Sequence, residues 1–387
     1  MYIKCSSHKS PTSIKKITIC FILVVCLQTT QAQPMSICIT SKFELPGLSL
    51  DDATEPLAYF VGIAEGVSTN YDLLPMQVEY FVQLGVSYVV IERSYADSFL
   101  YNQFLKTGDE KYIQGDVEWS EDMREALRKV YLINQSLTEE RKIRFIGIDA
   151  PNYAGSIIKT LGHLFYDKNP TADIRPFVDS INALNKFPIY HFWKEIKIYN
   201  ETFIGYVNDQ YRNHKTSFEN VLGKDFYHLK QIAENKASHF RPGERNKDMF
   251  TNMVRIYEDI PLKSSLFIFG STHTSKTSKG SLASRTLKER SSPYIDHVRV
   301  ISTHYEKSKS FYAGKETAIN QSLLDYHFRN KKPMILMEIK KNLDCRLSIH
   351  NANQLGVLRS LSSDFDYLLL VENGKAINSL RKSLLSK

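Results

Sequence analysis

The sequence predicts an α/β fold with a mainly parallel central sheet flanked by helices and a large helical insertion. Three observations carry that expectation. Short apolar runs of strand length recur along the chain, several apolar at consecutive positions, as a strand covered on both faces requires. Helical periodicities lie between them, so crossovers join neighbouring strands and the pairing is parallel. A stretch from about residue 161 to 257 carries long amphipathic patterns and no strand signal.

Residues 1 to 32 read as an export signal. Lys15 and Lys16 precede an apolar run from Ile17 to Leu27, and Thr30-Gln31-Ala32 supplies a small-residue cleavage site. The run of 11 residues is too short to span a bilayer, so no stable membrane insertion is expected once the signal is gone. Cys26 does not read as a lipid anchor, because Leu23-Val24-Val25 places no small residue before it. Without that segment the chain keeps 46 basic against 42 acidic residues, a net +4 over 355 residues instead of the +8 of the full chain. A balance that close leaves no broad basic footprint, and nucleic acid is not an expected partner. Cys38 and Cys345 remain, either as one disulfide in an oxidising compartment or as two buried thiols.

Residues 33 to 387 show no repeat or Pro-rich linker and read as one domain. Strands are expected at Ala58 to Ile63, Ser87 to Ile91, Ile143 to Ile148, Leu266 to Phe269, His297 to Ile301, Met334 to Met337 and Tyr367 to Val371. After Asp72 as cap, with Pro75 in the first turn, Met76, Tyr80 and Leu84 share a helix face, and Gly85 closes it. Ser120 caps a second helix running to Leu137. Within the insertion, Ala172 to Asn185 and Phe218 to Ala237 are helical by the same test.

Polar residues stand just past four of these strands: Glu65, Glu92, Asp149 and His273. In an open parallel sheet such positions converge on the carboxyl edge, where ligands bind. Three carboxylates and an imidazole can act as general acid and base on a bound water, or hold a divalent metal, or simply cap the next helix. Arg245, Met249 and Asn252 are spaced to share one helix face, from which Arg245 can orient a carboxylate such as Glu92; a surface Arg on an ordinary amphipathic helix fits the spacing as well. The basic stretch of Lys276, Lys279, Arg285, Lys288 and Arg290 is interleaved with Ser and Gly and reads as a solvated loop, placed to close over the cleft. G-x-S-x-G, Gly-Lys-Ser/Thr phosphate loops, H-E-x-x-H and G-x-G-x-x-G after a strand are all absent, which argues against serine hydrolases, nucleotide enzymes, zincins and dinucleotide oxidoreductases.

The order of these pieces from about Leu57 to Leu380 resembles the erythromycin esterase-like family. Tyr88 to Tyr101, YVVIERSYADSFLY, followed by Asn102 and Thr107-Gly108-Asp109, is similar to the family's strand ending in Glu and the helix after it. Arg245, Met249 and Asn252 match its Arg-x-x-x-Met-x-x-Asn helix, Gly270-Ser271-Thr272-His273 its second histidine motif, and Phe365-Asp366-Tyr367 the entry to its final strand. Asn246 and Phe250 stand where the family helix often has Asp and Ala. The first motif departs from the pattern of Gly-Glu and then a His followed by Gly. In VGIAEGVSTNYDL, one register places Glu65 at the family Glu and Ser68 at the His; the other places Ile63 at the Glu and Glu65 at the His. Neither supplies a histidine.

The resemblance implies an exported, periplasmic or secreted, hydrolase of an ester or related bond, with Glu65, Glu92 and His273 catalytic and Ser68, Asp149, Arg245 and Asn252 around a small-molecule substrate. The altered first motif leaves two other readings open: a member that has lost the reaction, or a non-catalytic protein binding a small molecule or a metal on the same fold. The resemblance implies no organic cofactor, and Glu65, Glu92 and His273 are the atoms available to a divalent metal. The export signal makes one direct prediction: protein purified from its native host begins near residue 33 by mass spectrometry, and an intact Met1 terminus would refute it.

Overall fold

Burial follows the consecutive apolar runs. In the computed structural model, which describes residues 36–38, 55–64, 66–114, 120–151, 154–186, 196–235, 242–306, 334–338 and 363–372, these runs form one sheet. Its strands are β1 Ser36–Cys38, β2 Ala58–Ile63, β3 Tyr88–Ile91, β4 Arg144–Gly147, β5 Ser265–Gly270, β6 Val298–Glu306, β7 Met334–Glu338 and β8 Tyr367–Glu372. They lie in the order β1-β7-β8-β6-β2-β5-β3-β4. The six strands from β8 to β4 are parallel throughout; β7 runs against β8, and β1 runs against β7. β1 is the one described strand that the sequence did not predict, since three residues carry too little periodicity to read.

Alternation along β2 shows why a continuous apolar run is required. Tyr59 and Val61 join a core with Leu73, Phe81, Ile301 and Leu369, while Ala58 and Phe60 join a second core on the other face with Val90, Phe267, Phe269 and Met249. Phe60 stacks on Phe267 with ring centroids 4.3 Å apart. Each such side chain contributes about 1.5–3 kcal/mol on leaving water, so neither face of β2 tolerates a polar residue.

Helices α1 (Thr69–Gln83), α2 (Tyr95–Thr107) and α3 (Glu121–Gln135) connect the strands of this half. α1 begins three residues before the expected cap, which leaves Asp72 inside its first turn. Asn70 explains the shift: its side chain donates to the Ala64 carbonyl at 2.6 Å and accepts from the Tyr305 hydroxyl, fixing the turn ahead of Asp72. Gly85 ends α1 at φ +79°, as the sequence implies. Ser94 and Asp97 cap α2 reciprocally, and Ser120 caps α3 by accepting from the Met123 amide at 3.3 Å.

Between β4 and β5 lie α4 (Ala154–Leu164), α5 (Arg175–Asn185), α6 (Ile196–Asn213), α7 (Lys215–Leu222), α8 (Phe226–Ala233) and α9 (Pro242–Asp259). This is the helical insertion the sequence predicts. Its expected 218–237 helix is broken into α7 and α8 by Gly223, which sits at φ +56° with a short 3₁₀ turn after it. A further helix, α10 (Leu282–Lys288), leads into β6. Among the described residues no helix is long and apolar enough to cross a membrane. Residues 1–32 and Cys345 lie outside the described residues.

Among the described residues β4 ends the strand order, and no partner strand lies on its outer edge. Asn102 of α2 takes that place: its amide donates to the Phe145 carbonyl and its oxygen accepts from the Phe145 amide, both at 2.8 Å. Replacing Asn102 with Ala strands two backbone groups, so chemical denaturation of Asn102→Ala is expected to show a loss of about 2 kcal/mol. A loss below about 0.5 kcal/mol would remove this role.

Candidate functional site

The register of the parallel strands delivers polar residues to one place. β3 and β4 pair Ile91 with Gly147, so Glu92 and Asp149 leave neighbouring strands at the same carboxyl edge. β5 pairs alongside β3 and ends at Gly270, where a 3₁₀ turn from Ser271 to His273 brings the imidazole back over the edge. Two close approaches need glycine. A Cβ on Gly147 would lie 2.0 Å from the Ser94 carbonyl oxygen, and one on Gly62 would lie 2.5 Å from Thr274 Oγ1. The first lets the Glu92–Ser94 segment fold over β4; the second lets the His273 turn settle against the end of β2.

α9 supplies the cation. Arg245 donates from Nη2 to Glu92 Oε1 at 2.6 Å and to Asp149 Oδ2 at 2.5 Å, and from Nε to Asp149 Oδ1 at 3.2 Å. Asn252, two turns further along the same helix, donates to the Ile148 carbonyl at 2.9 Å. The shared face expected for Arg245, Met249 and Asn252 is therefore the face that docks on the sheet edge. Glu92 Oε2 accepts from the Gly270 amide at 2.8 Å, and Oε1 lies 3.4 Å from His273 Nε2, an ion-pair distance longer than a short hydrogen bond. His273 Nδ1 is 2.6 Å from Asn246 Oδ1.

Side-chain exposure grades from 1% at Asp149 through 16% at Glu92 to 34% at Arg245, so the guanidinium is the group at the mouth. Burial alone would raise the Glu92 carboxyl. The hydrogen bond and charge of His273, the charge of Arg245 and the Gly270 amide outweigh burial and hold its pKa at about 2. Burial also opposes the Arg245 charge, and Asp149 and Glu92 outweigh it, raising the guanidinium pKa. Glu92 is thus a fixed anion at neutral pH and a poor proton acceptor there.

Five of the expected site residues, Glu92, Asp149, Arg245, Asn252 and His273, therefore meet. Ser68 occupies the N-cap position of α1, buried in the loop that leaves β2, and Glu65 in that loop lies outside the described residues. Among the described residues no three His, Cys, Asp or Glu side chains are grouped to hold a metal ion. The basic stretch is partly helical in α10, and its start is fastened down: Lys276 pairs with Asp366 at 2.8 Å and Ser275 donates to Asp364 at 2.6 Å.

Two contributors were not among the expected site residues, although Asn246 stands out as a departure from the family motif. Asn246 follows Arg245 directly, and a helix-face argument built on spacings of four and seven passes over an adjacent residue. Asn235, just past α8, donates to the Asp149 carbonyl at 2.9 Å, and no motif marks it.

The fold and site define an α/β protein with a charged cluster at the carboxyl edge of a parallel sheet. No protein-family profile matches the sequence, and no curated protein sequence matches it. The chain is similar in structure to a Bacillus cereus protein with a TM-score of 0.58 at 14% identity, covering 89% of this chain and 96% of that one. It is similar to a succinoglycan biosynthesis protein with a TM-score of 0.55 at 14% identity, covering 95% and 100%. A mutant of erythromycin esterase EreC in its open conformation matches with a TM-score of 0.52 at 13% identity, covering 81% and 90%. These likenesses establish a shared fold, and the expected resemblance holds at that level.

Arg245→Ala leaves Asp149 buried and unpaired, and denaturation at pH 7 is expected to show a loss of about 3 kcal/mol. Its acid profile supplies the sign. Glu92 has a lower pKa folded than its ordinary 4.5, so its stabilisation is full above 4.5 and disappears as pH falls through about 2. The variant should lose less than the wild type over that window. Parallel acid profiles would show that Arg245 does not hold Glu92 ionised.

Burial also pushes His228 and His304 down to about 4 from an ordinary 6.5. A histidine with a depressed folded pKa stabilises fully above 6.5, and that contribution is lost as pH falls from there through about 4. Stability should therefore decline on acidification from pH 6.5, before Glu92 titrates. A flat stability profile between pH 6.5 and 4 would contradict it.

Proposed function

We propose that the protein is an exported hydrolase acting through water on an ester or related bond of a small molecule, with an altered proton acceptor. The single observation that supports this reading is the Glu92–Arg245–Asp149 cluster, with His273 on Glu92, at the edge where parallel sheets bind ligands. The bond class comes from the motif resemblance and from a fold neighbour that is an esterase.

The chemistry divides among the residues. Arg245, 34% exposed and tied on its inner side, presents positive charge to a carbonyl oxygen that becomes negative as water adds. His273 faces the same edge from β5. Glu92 and Asp149 hold Arg245 in place, Glu92 also faces His273, and Asn252 anchors the helix that carries Arg245. Glu65 is the remaining carboxylate, and the reading assigns it the proton of the attacking water; Ser68 lines the same loop. Neutral Ser68 has no comparable basicity near pH 7.

The absence of a histidine from that loop, together with the weak basicity of Glu92, favours a second reading: a binding protein that keeps the cleft without turnover. A panel of esters, lactones and amides, including a macrolide, separates the two. Under the first reading the wild type turns over some of these slowly, with little or no action on the macrolide, and Glu65→Gln abolishes what there is. Ser68→His and Glu65→His test the two registers, and the one that matches the loop should raise kcat about 10²-fold or more, the range of general-base catalysis. Binding without turnover across the panel would establish the second reading. Robust macrolide hydrolysis by the wild type would overturn the expectation that the first motif is impaired.

A further inference from the structure

His273 meets the site through both ring nitrogens, and the two have unlike partners. Nε2 faces Glu92 Oε1 at 3.4 Å, and Nδ1 faces the Asn246 side chain at 2.6 Å. An ionised carboxylate can only accept, so a bare Nε2 would oppose one lone pair to another; the nitrogen on that side carries its hydrogen. Glu92 cannot turn away to relieve such a clash, because Gly270 and Arg245 hold both of its oxygens.

The Asn246 amide completes the arrangement. Its oxygen and nitrogen ends are nearly isosteric and exchange by rotation of the amide. With Oδ1 toward the ring, Nδ1–H donates and the ring carries two hydrogens. With the amide turned over, Nδ2–H donates to a bare Nδ1 and the ring is neutral. Nε2–H points at Glu92 in both. A carboxylate at position 246 would permit only the first. The amide is well placed for this task, because Arg245 and Asn252 pin α9 to the sheet edge on either side of it.

We propose that Asn246 is a positioning residue that keeps the His273 Nε2–H directed toward Glu92 and the cleft, so that His273 serves as a hydrogen-bond donor to a substrate oxygen while another group activates water. The donor role rests on the hydrolase reading; the tautomer does not. It accounts for Asn where the resembling family often has Asp, since a loop without histidine needs a donor that stays available when the ring is neutral.

The test is nitrogen NMR of the full-length protein with ¹⁵N-labelled histidine, at a pH above the imidazole range, with His273→Asn identifying the signal. The wild type should show a hydrogen-bearing Nε2 and a bare Nδ1. Asn246→Asp, which can only accept, should move hydrogen onto Nδ1 at the same pH, whereas Asn246→Ala, with Glu92 still facing the ring, should keep hydrogen on Nε2. A wild-type ring with hydrogen on Nδ1 and a bare Nε2, or a tautomer indifferent to Asn246→Asp, would overturn the proposal. The first of these outcomes is read from the wild type alone, even if a variant fails to fold. Absence of turnover alongside the expected spectrum would remove the hydrolase reading and leave the tautomer intact. If turnover is found, Asn246→Asp should lower kcat more than it raises KM, and Asn246→Gln should restore part of the loss.

Discussion

Arg245 is shared by two carboxylates that the sheet delivers from neighbouring strands, and the geometry of the carboxyl edge depends on that sharing. β3 and β4 lie side by side in parallel register, so Glu92 and Asp149 emerge about one strand spacing apart, roughly 5 Å. Two carboxylates at that separation repel by about 3 kcal/mol at the effective dielectric of a protein surface. A guanidinium between them reverses the sign, and its planar fork can serve both acids at once, which an ammonium cannot. Because α9 closes the insertion, the same contact also docks the helical segment onto the sheet. Site and architecture thus share one interaction, and loss of the cation would disturb both.

The edge position of β4 sets a second constraint. An end strand presents backbone groups with no neighbouring strand to receive them, and proteins must cover or pair them. Here the Asn102 side chain of α2 does so on Phe145, and two further asparagines hold the segment that follows the strand, Asn252 of α9 on the Ile148 carbonyl and Asn235 beyond α8 on the Asp149 carbonyl. Asn is suited to this because its amide carries both a donor and an acceptor, as a peptide unit does. Two of these residues come from the insertion, so the helices that enclose the cleft are registered against the strand that supplies Asp149. Asn102 and Asn252 are therefore motif positions with an architectural role.

How much of this was legible in the sequence follows from the range of each signal. The six parallel strands could be read to within a few residues because burial on both faces writes an apolar run that needs no knowledge of partners. The α1 boundary was misplaced because Asn70 takes its contacts from Ala64 and from Tyr305, the latter 235 residues away. The break at Gly223 was missed because amphipathic spacing continues across it. Within the site, Glu92, Asp149 and His273 were visible as strand-end residues, and Arg245 as one face of a helix. Asn235 was not, and Asn246 showed only as a motif departure without a role, since each acts through a single long-range hydrogen bond that leaves no periodicity.

The electrostatics of the cluster limit the chemistry it can support. A carboxylate held at about 2 by its neighbours has given up basicity in exchange for permanence, so Glu92 organises charge and does not collect protons at neutral pH. His273, engaged on both nitrogens, offers a hydrogen on the cleft side while its other nitrogen is covered by Asn246. Arg245 adds a second fixed donor. Under the proposed reading all three groups serve to receive an anionic or carbonyl oxygen, or to hold the groups that do. Among the described residues the cluster offers no uncommitted carboxylate, and an addition of water needs a proton acceptor besides the oxyanion donors. The end of β2 lies against the His273 turn, where Gly62 approaches Thr274, and the sequence carries a further ionisable side chain, Glu65, just beyond that strand. Under the proposed reading, the distinction between an enzyme and a binding protein rests on the segment from Gly62 to Thr69, set against a donor array that would serve either.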